Sequence, residues 1–271
     1  MYGSVASDGD GDGEAIITGG YDIIYNHVRN KISDHYFRLE TYVASVEKTE
    51  SAELGPFVNI HTDDNRVFTT KHAILTIPIG VLKSNDVRFY PYLPKHIQMA
   101  IDCSSLGYLG KVFIEFPRLF WPPETQQFVI LANNTQGSPV FVLNLFASTK
   151  KPILMLLIPP RLTSKLESNP TTAFEISEEQ LSTLNIIQGQ PLPKPLIIKN
   201  TSWSNDPLTR CSYVAVGTNE DPIANAEAWQ RGWDNIRFAG EHTVWKSQGC
   251  VQGAWKSGVR EAKYIISKLN E

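Results

Sequence analysis

Hydrophobic and polar positions fall into short blocks that predict a chain mixing strands with helices. After Gly19-Gly20, Tyr21, Ile24, Tyr25 and Val28 recur at helical spacing and predict one amphipathic face. Residues 37–46 are rich in β-branched and aromatic side chains and read as a strand. Residues 58–62 and 66–69 flank the polar turn Asp63-Asp64-Asn65, which predicts a hairpin. The apolar run His72-Ala73-Ile74-Leu75-Thr76-Ile77-Pro78 reads as a buried strand stopped by Pro78 and Gly80.

Beyond Pro91 the pattern changes. Tyr92-Leu93-Pro94 precedes a helix that carries Ile97, Ala100 and Ile101. Alternation from Gly110 to Phe116 predicts a strand, followed by strands over 128–132, 140–146 and 153–158. Residues 161–189 read as helical pieces interrupted by Pro170. Pro191-Leu192-Pro193-Lys194-Pro195 is a stiff loop, because each proline fixes φ and withholds an N–H donor, and a strand starts near Leu196. Near the end, residues 236–240 form a short strand closed by glycine. A helix over 251–269 then carries Val251, Ala254, Trp255, Gly258, Val259, Ala262, Ile265, Ile266 and Leu269 along one face.

Composition narrows the function classes. The net charge of −3 gives no basic face of the kind nucleic-acid binding needs. Cys103, Cys211 and Cys250 are far apart and odd in number, with no CxxC pair, against a disulfide framework or a zinc site. A reducing compartment, the cytoplasm, is the resulting expectation, with neither membrane nor metal. Residues 1–14 read as a flexible acidic arm. Asp8, Asp10 and Asp12 imitate the start of a calcium loop, but Gly19 stands where a bidentate Glu is required.

The chemistry concentrates near the C-terminus. Phe238-Ala239-Gly240-Glu241-His242-Thr243 leads from a strand into a loop, and Gly249-Cys250-Val251-Gln252-Gly253-Ala254 opens the last helix. The start of a helix offers unpaired N–H groups and a positive dipole end, suited to an electron-rich carbonyl or a phosphate. The same glycines also suit close helix–strand packing. Spacing alone leaves both readings open.

Here the chain resembles a family. Gly240-Glu241-His242-Thr243 followed by Gly249-Cys250-Val251-x-Gly253-Ala254-x-x-Ser257-Gly258 is similar to the C-terminal flavin signature of the flavin-containing amine oxidases. That family includes polyamine oxidases, monoamine oxidases and flavin-dependent histone lysine demethylases. Ile17-Thr18-Gly19-Gly20-Tyr21, Thr76-Ile77-Pro78-Ile79-Gly80-Val81-Leu82-Lys83 and Phe89-Tyr90-Pro91-x-Leu93-Pro94 resemble further family segments. So do Gly110-Lys111-Val112 with Phe116, Phe120 and Trp121, and Trp203-Ser204-Asn205-Asp206-Pro207 with Arg210, Ser212 and Tyr213. They occur in family order. Within the family, Asp206-Pro207 and Glu220-Asp221-Pro222 look most like fungal polyamine oxidases and relatives resembling corticosteroid-binding proteins.

The resemblance implies site residues. Lys111 matches a lysine that reaches the flavin through water and is read as the residue that handles a proton. Glu241 matches a flavin-contacting glutamate, with Gly240 beside it. Cys250 and Val251 match a pair whose backbone N–H groups face the flavin carbonyls. Val43 matches a position whose backbone meets the adenine. Trp203 matches an aromatic beside the flavin and Tyr213 one facing the substrate channel. His242 is read as structural.

The implied fold is α/β: an incomplete two-domain FAD amine oxidase fold, in which residues 15–80 and 236–271 form the remainder of the FAD-binding domain. Residues 81–235 form an α+β substrate domain with a mixed sheet. Family members begin with a strand and a G-x-G-x-x-G turn for the flavin pyrophosphate, and no such turn occurs here. The reading is therefore of a truncated form with an exposed sheet edge, poorly soluble or dependent on another chain. The implied activity of the complete homologue is oxidation of polyamines such as spermine, with hydride passing to FAD and O2 giving H2O2. The alternatives are a non-catalytic protein that binds an apolar ligand such as a steroid, or a remnant without function.

Overall fold

The structure, a computed structural model, describes residues 17, 20–52, 55–131, 139–182, 191–217 and 220–270. The predicted arm over 1–14, its calcium-like aspartates, Gly19 and the stretch 183–189 lie outside the described residues. The chain is α/β, as its pattern predicts. It divides into two compact units, one holding Asn26–Leu106 with Pro207–Glu271 and the other Gly107–Asp206 with the segment that ends at Tyr25.

The discontinuous unit is built on an antiparallel ladder. Strands β1 (Val43–Ser51), β2 (Gly55–Thr62) and β3 (Val67–Thr70) form a meander in the order β3-β2-β1, and β5 (Arg88–Tyr90) adds to β1 in parallel. The hairpin turn at 63–66 is where the polar triplet predicts it. Asp64 secures it by accepting from the Thr62 hydroxyl at 2.5 Å and from Arg66 Nε at 2.6 Å. The strand predicted over 37–46 instead starts at Val43, because Asp34–Tyr36 takes a 3-10 turn first. Helix α1 (Asp22–Arg29) has the predicted spacing, yet Tyr21, Ile24 and Tyr25 are exposed.

Strand β4 (Ala73–Leu75) is shorter than the apolar run containing it, since Pro78 caps helix α2 (Ile79–Ser84). It pairs in parallel with β13 (Ile236–Phe238). Helix α3 (Lys95–Cys103) buries Ile97, Ala100 and Ile101. The ammonium of Lys83 donates to the carbonyls of Ile101 and Ser104 at 2.7 and 2.9 Å, neutralising the C-terminal end of α3. Strand β6 (Ser105–Gly107) pairs with β12 (Tyr213–Ala215). Helix α7 (Pro222–Arg231) starts at Asp221, whose carboxylate accepts the N–H of Ile223 and Ala224, with Pro222 at the first helical position. Helix α8 (Val251–Leu269) closes the chain.

The unit of Gly107–Asp206, continuous over its sheet, is a five-stranded sheet with helices. Strands β7 (Gly110–Glu115), β8 (Gln127–Ile130), β9 (Val140–Asn144), β10 (Ile153–Ile158) and β11 (Ile197–Asn200) lie in the order β11-β7-β10-β9-β8. All its pairings are antiparallel. A short α4 (Phe146–Thr149) precedes β10, and α5 (Pro160–Ser168) and α6 (Ala173–Ser182) flank the predicted break at Pro170. Strict alternation sends Val112, Ile114, Val140, Val142, Leu154, Leu156 and Ile158 to one face. There they meet Leu166, Ile176 and Leu181 of the helices. Lys111, Phe113 and Glu115 belong to the opposite, half-buried face.

Candidate functional site

The strongest cluster of candidate residues forms where β13 runs out and α8 begins. Ala239 still donates to Leu75, extending the parallel pairing by one bond. Gly240 then turns the chain with φ of +145°, a conformation that any side chain would strain. The turn is tied to α8, since Gly240 N–H donates to the Ser257 hydroxyl at 2.9 Å. Thr243 closes it, with its N–H and hydroxyl both donating to the Gly240 carbonyl.

This turn sets Glu241. Its Oε1 accepts the backbone N–H of Val214 at 3.0 Å and its Oε2 that of Gly249 at 2.7 Å. One carboxylate thus joins β12 to the residue before the helix cap. Burial pushes the Glu241 carboxyl above the ordinary carboxylate range, against the opposing pull of the two N–H donors. Cys211 and Cys250 are raised chiefly by burial, with the Glu241 charge adding to both. Neither thiol is therefore an activated nucleophile.

Tyr213 belongs to the same cluster. A Cβ added at Gly249 would lie 3.4 Å from the Tyr213 ring, and Gly249 itself has φ of +74°. Cys250 is the N-cap of α8 and makes no side-chain cap bond, and Val251 at the first helical position is exposed. His242 is fully buried, its ring edge-on to Trp229 at 5.1 Å. Burial first, and the Arg260 charge second, lower its pKa to about 4, so the imidazole is neutral near pH 7. Its ring packs against Trp229 inside the turn.

The remaining candidates belong to other elements. Val43 starts β1 beside a register irregularity between Val43 and Ser45. Lys111 and Trp203 belong to the continuous unit. Lys111 N–H donates to the Thr201 hydroxyl at 2.9 Å, and Thr201 N–H donates to the Lys111 carbonyl at 3.0 Å, so the segment leading to Trp203 is fastened to the Lys111 backbone. Glu167 holds the next turn by accepting from the Ser204 N–H and hydroxyl, while its carbonyl accepts from the Asn205 amide. Burial raises the Glu167 carboxyl. Sequence reasoning passed over Glu167 because a lone Glu in a polar helix carries no motif.

It also passed over Arg237, Arg260 and Glu261, which lie behind the Gly240 turn with Glu261 wholly inaccessible. The signal was present as charges interrupting buried elements, an arginine within the short strand 236–238 and an Arg-Glu pair within α8. The apolar face read along α8 proves solvent-exposed at Val251, Trp255, Val259, Ile266 and Leu269. Gly253, Ser257 and Glu261 form the buried face instead. Close approach of the Ser247 carbonyl to Gly253, together with the Glu261 ion pairs, sets that rotation.

These features can be tested against a flavin. The start of α8, where the Cys250 side chain makes no cap bond and a glycine of positive φ precedes the cap, fits an electron-rich ring carbonyl. The donors in question are backbone N–H groups, which any side chain at position 250 leaves in place, so Cys there is compatible. A glycine-rich turn for a pyrophosphate is not part of the sequence.

Comparison with known proteins gives the family directly. The sequence profile of the family described as flavin containing amine oxidoreductase matches residues 3–266. The corticosteroid-binding protein of Candida albicans is 27% identical over 92% of this chain and 56% of its own length. Polyamine oxidase 3 of Oryza sativa subsp. japonica is 27% identical over 100% of this chain and 56% of its own. The lysine-specific histone demethylase 1 homolog 3 of Arabidopsis thaliana is 26% identical over 96% of this chain and 16% of its own. The solved cyclohexylamine oxidase of Brevibacterium oxydans shares the fold with a TM-score of 0.74 at 19% identity, over 93% of this chain and 54% of that one. The chain thus spans about half the length of the corticosteroid-binding and polyamine oxidase relatives. No helix among the described residues is long and apolar enough to cross a membrane. Motif order, the turn at Gly240, the fold and the family match agree, and the chain belongs to the flavin-containing amine oxidoreductase family.

Proposed function

We propose that this chain carries the flavin-facing and substrate-facing parts of an FAD-dependent amine oxidase, acting on polyamines in the complete protein. The observation that carries the reading is the Glu241 clamp on Val214 and Gly249, which presents the bare N-terminus of α8 beside Tyr213. Gly240, Glu241, Cys250 and Val251 would hold the ring and ribityl end of FAD, with the Val43 backbone at the adenine. In this reading residues 15–80 and 236–271 serve the cofactor and residues 81–235 the substrate.

FAD held there would supply a two-electron acceptor for the carbon beside the amine nitrogen, with O2 as the final oxidant. The chain's own residues do the rest. Lys111 handles a proton through water while the amine reacts in its neutral form. Trp203 and Tyr213 orient the amine and exclude bulk water by ring bulk and cation–π attraction. The relatives named as polyamine oxidases support a small aliphatic amine as substrate.

Titration of the full 271-residue chain with FAD tests the reading. A yellow protein whose visible absorbance bleaches anaerobically with spermine supports it, and a folded, colourless protein sinks it. A second reading rests on the corticosteroid-binding relative. In it the chain holds an apolar ligand without turnover, and a colourless protein that retains a labelled steroid through gel filtration is its signature.

A further inference from the structure

Behind the Gly240–Thr243 turn lies a charge cluster that the proposed oxidation does not use. Glu261 is wholly buried and divides its two oxygens between two arginines. Its Oε2 accepts from Arg237 Nε at 2.6 Å and its Oε1 from Arg260 Nε. Arg237, 5% exposed at its side chain, sends its remaining N–H groups to the carbonyls of Arg231 and Gln230 at the end of α7 and lies 3.9 Å over the Tyr264 ring. Arg260 sends its own to the Phe238 carbonyl at 2.9 Å, the Thr243 carbonyl at 3.1 Å and the Thr243 hydroxyl at 3.2 Å.

The division of labour is specific. Arg237 ends on α7, whereas Arg260 ends on the last residue of β13 and on Thr243, the two points between which Gly240, Glu241 and His242 are strung. Buried charges are retained when their N–H groups and oxygens find partners, and here each guanidinium gives one Nε–H to Glu261 and turns its other nitrogens to the backbone, which fixes direction as well as distance. Uniform helix packing would need no arginine aimed at both ends of one turn.

We propose that Arg260 and Glu261 are positioning residues, which with Arg237 lock the Gly240–Thr243 turn so that the Glu241 carboxylate stays seated on the N–H groups of Val214 and Gly249. The inference deepens the flavin reading and rests on it for its purpose, since the seated Glu241 shapes the start of α8. The lock itself can be measured without cofactor.

The test is amide hydrogen exchange on the full 271-residue chain, comparing wild type, Arg260→Met and Arg260→Lys with a Val58→Ala control. That control opens a cavity in the β1–β2 ladder of the same unit. In Arg260→Met, protection of the Val214 and Gly249 amides should fall about tenfold more than that of the β1–β2 ladder. Arg260→Lys, which keeps the charge and one donor direction, should restore part of it. A uniform fall in Arg260→Met, or a fall at 214 and 249 equal to that in Val58→Ala, overturns the proposal. If Arg260→Met does not fold, the same comparison is read from Arg260→Lys alone, with the same two outcomes. Flavin titration of wild type is run separately. Failure to take FAD counts against the cofactor reading and leaves the exchange result to decide the lock.

Discussion

Glu241 holds Gly249 through a 2.7 Å hydrogen bond from the glycine N–H to Oε2, eight residues along the chain and across the whole loop between the strand and the last helix. The partner bond from Val214 uses the other oxygen, so both carboxylate oxygens are engaged and the group is held in one orientation. Replacing Glu241 with Ala removes both acceptors. Stability should fall by about 2–3 kcal/mol, since each orphaned N–H costs about 1–3 kcal/mol and water reaches part of this loop. Urea denaturation should show a lower midpoint at unchanged m-value. Glu241→Gln, which keeps one acceptor oxygen and turns an amide toward the other N–H, should be intermediate.

His242 gives a pH dependence with a definite sign. Its pKa falls from 6.5 to about 4 on folding, so the unfolded chain binds the extra proton between those values. Stability from this group is therefore complete above about pH 6.5 and is lost as pH falls toward 4, in all about 3 kcal/mol. Glu241 has the opposite sign. Its raised folded pKa contributes stability below the unfolded carboxyl value that disappears as pH rises through the folded one. Melts of wild type and His242→Gln between pH 4 and 7 should converge at the acid end, and parallel curves would assign the acid loss to other groups.

Two glycines of α8 should respond in opposite directions. A Cβ at Gly253 would lie 2.2 Å from the Ser247 carbonyl oxygen, whereas a Cβ at Gly258 would meet nothing within 4 Å. Gly253→Ala should cost about 1–3 kcal/mol through overpacking against backbone. Gly258→Ala should gain about 0.5–1 kcal/mol by lowering the entropy of the unfolded chain. Thermal melts of the two variants check both signs at once.

Lys111→Met tests the proposed chemistry in the FAD-loaded protein. Removing a positioned proton carrier should slow anaerobic bleaching by spermine by about 10²-fold or more. Flavin content should be unchanged, because the backbone bonds between Lys111 and Thr201 remain. Loss of flavin together with rate would make the lysine a folding residue instead.

Much of this was legible beforehand because it rests on local rules. The hairpin around Asp63-Asp64-Asn65, the break at Pro170 and the last helix over Val251–Leu269 follow from turn chemistry, proline and period. Helix α7 was not read, although Asp221-Pro222 is a cap followed by a first-turn proline, because the sequence after it has no clean apolar stripe and buries only Asn225, Ala226 and Trp229. The orientation of α8 was not legible for a deeper reason. Periodicity finds the apolar face, but burial here follows a close backbone approach at Gly253 and ion pairs at Glu261, which only tertiary structure creates. The Glu241 cluster was found through motif resemblance. Its clamp geometry was not, since nothing in a sequence says which amide a glutamate will choose.

The parallel pairing of β4 with β13 carries a cost during synthesis. Asn235 donates to the Lys71 carbonyl across 164 residues, so the front half of this unit leaves the ribosome long before its companion strand exists. Until then Leu75 lacks the strand neighbour that Phe238 will supply, while every pairing of the intervening sheet is complete once β11 has been made, well before β13. Translation speed and chaperone supply should accordingly govern the yield of the discontinuous unit more than that of the inserted one.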